Sequence, residues 1–219
     1  MESPKGGHGE GVSQGSAITI DNLTVKYANK TVLDHFSLSV KSGENVIIAG
    51  PNGCGKTTLL KALMGMVRPD GGTIEITDRR KGSIAYCGQE KASSDFPISV
   101  KEVLKLGIPS TCSSDQAKHR IQEALGMTHC TSLENRNFFS LSGGEKQRVS
   151  IARCLCQDPS LILLDEPSTY LDSSGKDELF AILDRLAKSP LTILMVTHEA
   201  ELFEHFATWN RVQLPKVGA

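Results

Sequence analysis

Residues Gly50-Pro51-Asn52-Gly53-Cys54-Gly55-Lys56-Thr57-Thr58 fit the pattern G-x-x-x-x-G-K-[ST] and follow the apolar run 46–49. Glycines so placed let successive backbone N–H groups turn inward around an anionic phosphate chain. A helix opening at Lys56 adds the partial positive charge of its N-terminus. Lys56 then reaches the β- and γ-phosphates as a point charge, and the Thr57 hydroxyl ligates Mg²⁺. The competing reading is a glycine-rich turn with an incidental lysine, and it leaves the strand before and the helix after unexplained. A second run, Leu161-Ile162-Leu163-Leu164-Asp165-Glu166, ends an apolar segment in two carboxylates. Ligands of a parallel sheet gather beyond the carboxyl ends of its strands, where the glycine-rich loop also lies. Asp165 suits the Mg²⁺ shell, and Glu166 suits polarising the water that attacks a γ-phosphate. Alone, such a pair could also be a solvated strand end with a helix-capping acid, the lesser reading. Residues 193–198 repeat the geometry and end in His198, placed to hydrogen-bond the γ-phosphate or the attacking water. The remaining histidines have no such placement.

Elements must position these groups. The runs 46–49, 161–164 and 193–196 are continuous in apolarity, the pattern of strands buried on both faces of a parallel sheet. Helical periodicity between them, over 56–66, 101–106, 145–157, 175–187 and 200–206, makes the fold class α/β. The segments 17–20, 23–27 and 36–40 alternate apolar and polar residues, as antiparallel strands with one wet face do. Segments 75–77 and 83–86 can join either sheet. Over roughly 90–140 strand signals are few: Ser99 and Glu102 have capping-box spacing, and 115–125 reads as a helix with Ser114 as N-cap and Gly126 as stop. This middle stretch predicts a helical subdomain inserted into the α/β core. Residues 1–16 are rich in Gly, Ser and charge and read as a flexible lead-in, neither signal peptide nor anchor.

Composition excludes several classes. The 219 residues carry 24 Lys+Arg against 25 Asp+Glu, a net charge of −1, which gives no basic footprint for nucleic acid or acidic lipid. At 39% hydrophobic and 22% charged the chain reads as an ordinary globular protein. A membrane span needs about 20 apolar residues, and the apolar runs here are only strand-length. The six cysteines form no C-x-x-C pair and read as reduced thiols of a cytosolic protein. Cys154 and Cys156 would point to different faces of a helix and share no metal.

The segment Leu141-Ser142-Gly143-Gly144-Glu145-Lys146-Gln147-Arg148 resembles the signature of ABC ATPases, and the resemblance extends over residues 17–214. It implies a P-loop ATPase of the ABC type: a mainly parallel core sheet, an N-terminal antiparallel β subdomain and an inserted α-helical subdomain, all one domain over 17–219. Ser142, Gly143 and Gly144 put a hydroxyl and bare amides at a helix start, a second anion site. The resemblance implies a head-to-tail homodimer in which this segment closes over ATP held by the partner's phosphate loop. Tyr27 is similar to the aromatic that stacks on adenine, though a core tyrosine would look the same. Gln89 resembles the Q-loop glutamine that senses Mg²⁺ and water, and residues 169–172 the D-loop at the dimer seam. Three positions depart from the family pattern: Tyr170 stands where a small residue is usual, Gly88 where Pro is common, and Cys54 where Ser or Ala is frequent. Phosphate-facing amides at Cys54 would make its thiol, and hence ATP binding, sensitive to oxidation.

The resemblance further implies an ATP-binding subunit of a transporter, peripheral on the cytoplasmic face of the membrane and docked on integral permease subunits near Gln89 and Phe96. Phe96 is either an exposed anchor for that contact or a hydrophobic staple onto its own helix. Residues 95–103 also resemble the corresponding stretch in ATPases of zinc/manganese-type importers. The alternative is a soluble ABC-type ATPase serving a role such as iron–sulfur cluster assembly.

Overall fold

The structure is a computed structural model that describes residues 16–28, 30–88 and 97–217. Its strands in chain order are β1 (Ser16–Tyr27), β2 (Lys30–Lys41), β3 (Asn45–Ala49), β4 (Gly71–Ile76), β5 (Ile84–Cys87), β6 (Leu161–Asp165), β7 (Thr192–Thr197) and β8 (Asn210–Gln213). The helices are α1 (Lys56–Leu63), α2 (Val100–Lys105), α3 (Ser114–Met127), α4 (Gly143–Leu155), α5 (Ser173–Leu186) and α6 (Ala200–His205).

The strands with alternating residues form an antiparallel sheet in the order β2-β1-β4, and the uniformly apolar ones a parallel sheet in the order β5-β6-β7-β3-β8. Segments 17–20 and 23–27 turn out to be one strand. A register shift between Ile20 and Leu23, with Asn22 at φ 49, changes the side-chain parity. Ile18 and Ile20 before the shift, and Leu23 and Val25 after it, thus all face the core. Without the irregularity the second pair would turn to solvent.

Parallel register aligns the ends that matter. Ala49 pairs with Thr197, and Asp165 with Val196, so β3, β6 and β7 finish side by side. The glycine-rich loop, the acidic pair and His198 leave the sheet from that one edge.

Three apolar clusters hold this frame. The first fills the space between the two sheets and α1 and includes Ile18, Val46, Leu60 and Leu163. The second packs α5 and α6 on the parallel sheet through Ile162, Leu179, Leu183 and Leu202. The third joins α2, α3 and α4 through Val100, Leu104, Ile121, Leu125 and Val149. Helix α4 links the second and third, sending Ile151 and Cys154 to one and Ala152 to the other. Cys154 and Cys156 fall in different clusters, as their helical spacing requires.

Ser99 and Glu102 form the expected capping box at α2. For α3 the cap is Ser113, not Ser114, because only Ser113 has a Gln three residues on to complete the reciprocal pair. Nor does Gly126 stop this helix. The chain continues to Met127 and leaves through His129, which takes φ 54. Among the described residues no helix is long and apolar enough to cross a membrane.

Candidate active site

The glycine-rich loop joins β3 to α1. Gly55 takes φ 106 as the residue before the helix. A Cβ there would lie 2.9 Å from Leu33 Cδ2 and 3.0 Å from the Val32 carbonyl oxygen, so conformation and close approach both demand glycine. Lys56 opens the helix and is 6% exposed. Its ammonium donates to the carbonyls of Gly50 at 2.8 Å and Pro51 at 3.3 Å, and pairs with Glu166 Oε1 at 3.2 Å.

Asp165 ends β6 with each carboxylate oxygen occupied. Oδ1 accepts from the Thr57 hydroxyl at 3.2 Å, and Oδ2 from the Tyr86 hydroxyl at 3.0 Å. Burial first, and then the Asp165 charge, raise the Tyr86 pKa well above the ordinary phenol value, so this hydroxyl stays a donor.

Glu166 leaves the strand at φ 51. For a residue with a Cβ that conformation costs about 1–3 kcal/mol. A strand continued through Glu166 would send its side chain to the face opposite Asp165. The turn, tied by the Glu166 amide to the Val196 carbonyl at 3.0 Å, lets the carboxylate meet Lys56 and His198. His198 Nδ1 lies 2.9 and 2.8 Å from the two carboxylate oxygens. A carboxylate accepts, so Nδ1 is the donor in this pair and Nε2 is left for another partner.

These groups border a cavity of about 400 Å³ lined by Asn52, Gly53, Gly55, Lys56, Thr57, Thr58, Glu166 and His198, with Val32, Thr169 and Tyr170 on its remaining sides. Tyr170, at φ 70 and 86% exposed, projects beside the cavity. Cys54 does not line it. The Cys54 thiol is 1% exposed in the first cluster and lies against Gly50, and its amide closes a turn on the Pro51 carbonyl at 3.2 Å. That placement removes the basis for its oxidation sensitivity, since a reactive thiol must be reachable. Tyr27 lies at the end of β1, 47% exposed and outside both core and cavity. Gln89 and Phe96 lie outside the described residues.

Ser142, Gly143 and Gly144 do not line this cavity. Ser142 caps α4: its Oγ accepts from the Glu145 amide at 3.2 Å, and its own amide donates to Glu145 Oε2 at 2.8 Å. The hydroxyl proton and the amides of Gly143 and Gly144 are donors that this box does not use. Tyr86 is the residue that sequence reasoning missed. Its sequence context marks only a strand position, and its link to Asp165 depends on β5 pairing with β6.

The chemistry is now defined. An ammonium and helix-start amides suit a phosphate chain, and the adjoining hydroxyl and carboxylate oxygens suit a hard cation. A carboxylate held between Lys56 and His198 suits a water nucleophile. Fold and site together define a P-loop ATPase. Residues 33–169 match the family model described as ABC transporter. The chain is 33% identical to the high-affinity zinc uptake system ATP-binding protein ZnuC of Bacillus subtilis, over 86% of this chain and 87% of that one. It is 35% identical to the zinc transport system ATP-binding protein AdcC of Streptococcus pneumoniae, over 88% of each. Identity to the thiamine import ATP-binding protein ThiQ of Aliivibrio fischeri is 39%, over 84% of this chain and 83% of that one. Among solved structures, cbiO1 of Clostridium perfringens, part of the ABC transporter complex cbiONQ, superposes with a TM-score of 0.79 at 26% identity, covering 92% of this chain and 85% of that chain. The chain belongs to the ABC transporter ATP-binding family and is an ATP-binding ATPase.

Proposed function

We propose that this chain hydrolyses Mg²⁺-ATP as the energy-coupling subunit of a metal-ion importer, on the cytoplasmic face of a membrane and docked on separate permease subunits. It acts as one domain over residues 17–219, with the helical subdomain at roughly 90–140. The observation that carries the ATPase mechanism is Glu166, placed by its left-handed turn between Lys56 and His198.

ATP enters with its phosphates against the loop 50–58, where Lys56 moves from the Gly50 and Pro51 carbonyls to the β- and γ-phosphates. The Thr57 and Asp165 oxygens, already within 3.2 Å of each other, fit a hard cation, and Gln89 completes the set. When bound, Mg²⁺ neutralises charge on the β- and γ-phosphate oxygens. Glu166 takes a proton from water as its oxygen attacks the γ-phosphorus. The bond from that phosphorus to the β-bridging oxygen breaks, giving ADP and phosphate. His198 holds the Glu166 carboxylate through Nδ1, leaving Nε2 toward water or phosphate. Tyr27 stacks on the adenine.

The Ser142–Gly144 donors sit outside the cavity that holds Lys56. We assign them to the γ-phosphate of a second copy, giving a head-to-tail homodimer around two ATP molecules. Metal import is favoured by the zinc-uptake relatives and by the resemblance of residues 95–103, with Gln89 and Phe96 at the permease contact. None of the relatives named above favours a cluster-assembly role.

The test has two arms. Affinity capture from detergent-solubilised membranes is expected to recover a multi-span partner. Cells lacking this chain are expected to lose zinc accumulation, restored by wild type and not by Glu166→Gln. Recovery of soluble partners alone overturns the transporter reading, and loss of thiamine uptake with zinc uptake intact overturns the substrate.

A further inference from the structure

The Tyr86–Asp165 hydrogen bond belongs to no step above. Parallel register puts Tyr86 beside Leu163 and Cys87 beside Leu164, one residue short of Asp165. The Tyr86 ring must therefore run forward along its own strand to bring its hydroxyl to Oδ2. It does so across Gly88, two residues on and on the same strand face. A Cβ at 88 would lie 2.5 Å from Tyr86 Oη and 2.6 Å from its Cε1 and Cζ, so the ring fills the volume any side chain there would need.

The consequence falls on Asp165. An Asp carboxylate turns about a broad, roughly two-fold torsion. Thr57 alone, holding Oδ1, would let the other oxygen swing. With Tyr86 on Oδ2 the carboxylate plane is fixed from both sides, and Oδ1 is kept toward Thr57.

We propose that Tyr86 is a positioning residue for the nucleotide-bound divalent cation, acting through Asp165, and that residue 88 is glycine because the Tyr86 ring must lie across it. The proposal rests on the reading of Thr57 and Asp165 as oxygen donors to that cation. It also links the segment entering Gln89 to the carboxylate end of β6 through one side chain.

The test uses the full chain with Mn²⁺ and a non-hydrolysable ATP analogue, reading bound Mn²⁺ by electron paramagnetic resonance. Tyr86→Phe keeps the ring and removes the hydroxyl, and it is expected to weaken Mn²⁺ binding about ten-fold, the scale of a lost hydrogen bond to a charged group. Metal-free nucleotide affinity is expected to stay as in wild type, while Tm falls by a few degrees because a buried carboxylate oxygen loses its donor. In turnover assays the Mg²⁺ half-saturation concentration is expected to rise while kcat at saturating Mg²⁺ is kept. Gly88→Ala displaces the ring and is expected to weaken Mn²⁺ binding similarly, yet to add nothing on a Tyr86→Ala background. Asp165→Asn separates the two levels of inference. If it weakens Mn²⁺ binding and Tyr86→Phe does not, the role of Tyr86 is overturned. If Asp165→Asn binds Mn²⁺ as wild type does, the metal-site reading fails and the proposal with it. Additive losses for Gly88→Ala and Tyr86→Ala overturn the account of Gly88.

Discussion

Glu166 combines a strained backbone with a buried ion pair, a costly arrangement that the proposed general-base role would explain. Its carboxylate, about one-tenth exposed, has Lys56 on one side and His198 on the other. Glu166→Gln keeps the shape and removes proton-accepting power. Turnover is expected to fall about 10²–10⁴-fold, the usual contribution of a general base. ATP affinity, measured with a fluorescent analogue, is expected to persist. A variant with near-wild-type turnover would move the base elsewhere. Cys54 gives a second residue-scale test, because the structure seats its thiol in the core. Among six free cysteines only Cys112 is more than marginally accessible. Native labelling with a maleimide is therefore expected to modify Cys112 first and the other five only on unfolding, as mass spectrometry of the labelled peptides can show. Mild peroxide is expected to leave ATP binding unchanged. Rapid labelling of Cys54 would reinstate the redox reading.

Helix α4 shows how an element prepares a site at its own end. Ser142 and Glu145 exchange two hydrogen bonds, and Arg136 pairs with Glu145 at 2.9 Å. The Ser142 amide first, aided by Arg136, holds the Glu145 carboxyl below its ordinary range. A lowered folded-state pKa stabilises the fold above the unfolded value, near 4.3, and that stabilisation is lost as pH falls through the folded value. Glu145→Ala is expected to cost about 1 kcal/mol at neutral pH, the scale of a helix cap. The Tm gap to wild type is expected to close at acid pH, and a gap constant with pH would exclude the charge contribution. Element by element, the sequence was readable where the signal is local. The glycine-rich loop, the apolar strands and the Ser99 box each lie in one short window. The capping spacing from Ser113 to Gln116 is equally local, and the adjacent Ser114 lacks a Gln or Glu at the third position. Other features needed the third dimension. The parity change near Asn22 shows only once β1 has partners, and Tyr86 reaches Asp165 only because β5 lies against β6. Position 88 carried a visible anomaly, a glycine where proline is common, but its cause is a ring two residues away.

At the scale of the whole molecule, one chain has two helix starts with amide donors, at Lys56 and after Ser142, that do not share a cavity. The head-to-tail dimer proposed above would bring them together about a two-fold axis, each copy giving and receiving the same contact. The arrangement makes a strict prediction about mixtures. Lys56→Met keeps the aliphatic stem and removes the charge that meets phosphate. Ser142→Asp keeps a good N-cap for α4 and sets a negative charge against the partner's γ-phosphate. Each variant alone spoils both sites of its own dimer and is expected to be nearly inactive. In a mixed dimer both lesions fall in one site, and the other combines an intact Lys56 with an intact Ser142. Random pairing makes half the dimers mixed, each with one sound site, so an equimolar mixture is expected to recover about a quarter of wild-type turnover. Recovery should rise with protein concentration, since it depends on association. A mixture no more active than its components, with both variants folded by circular dichroism, would mean that each chain completes its site alone, and the Ser142 helix start would need another anion.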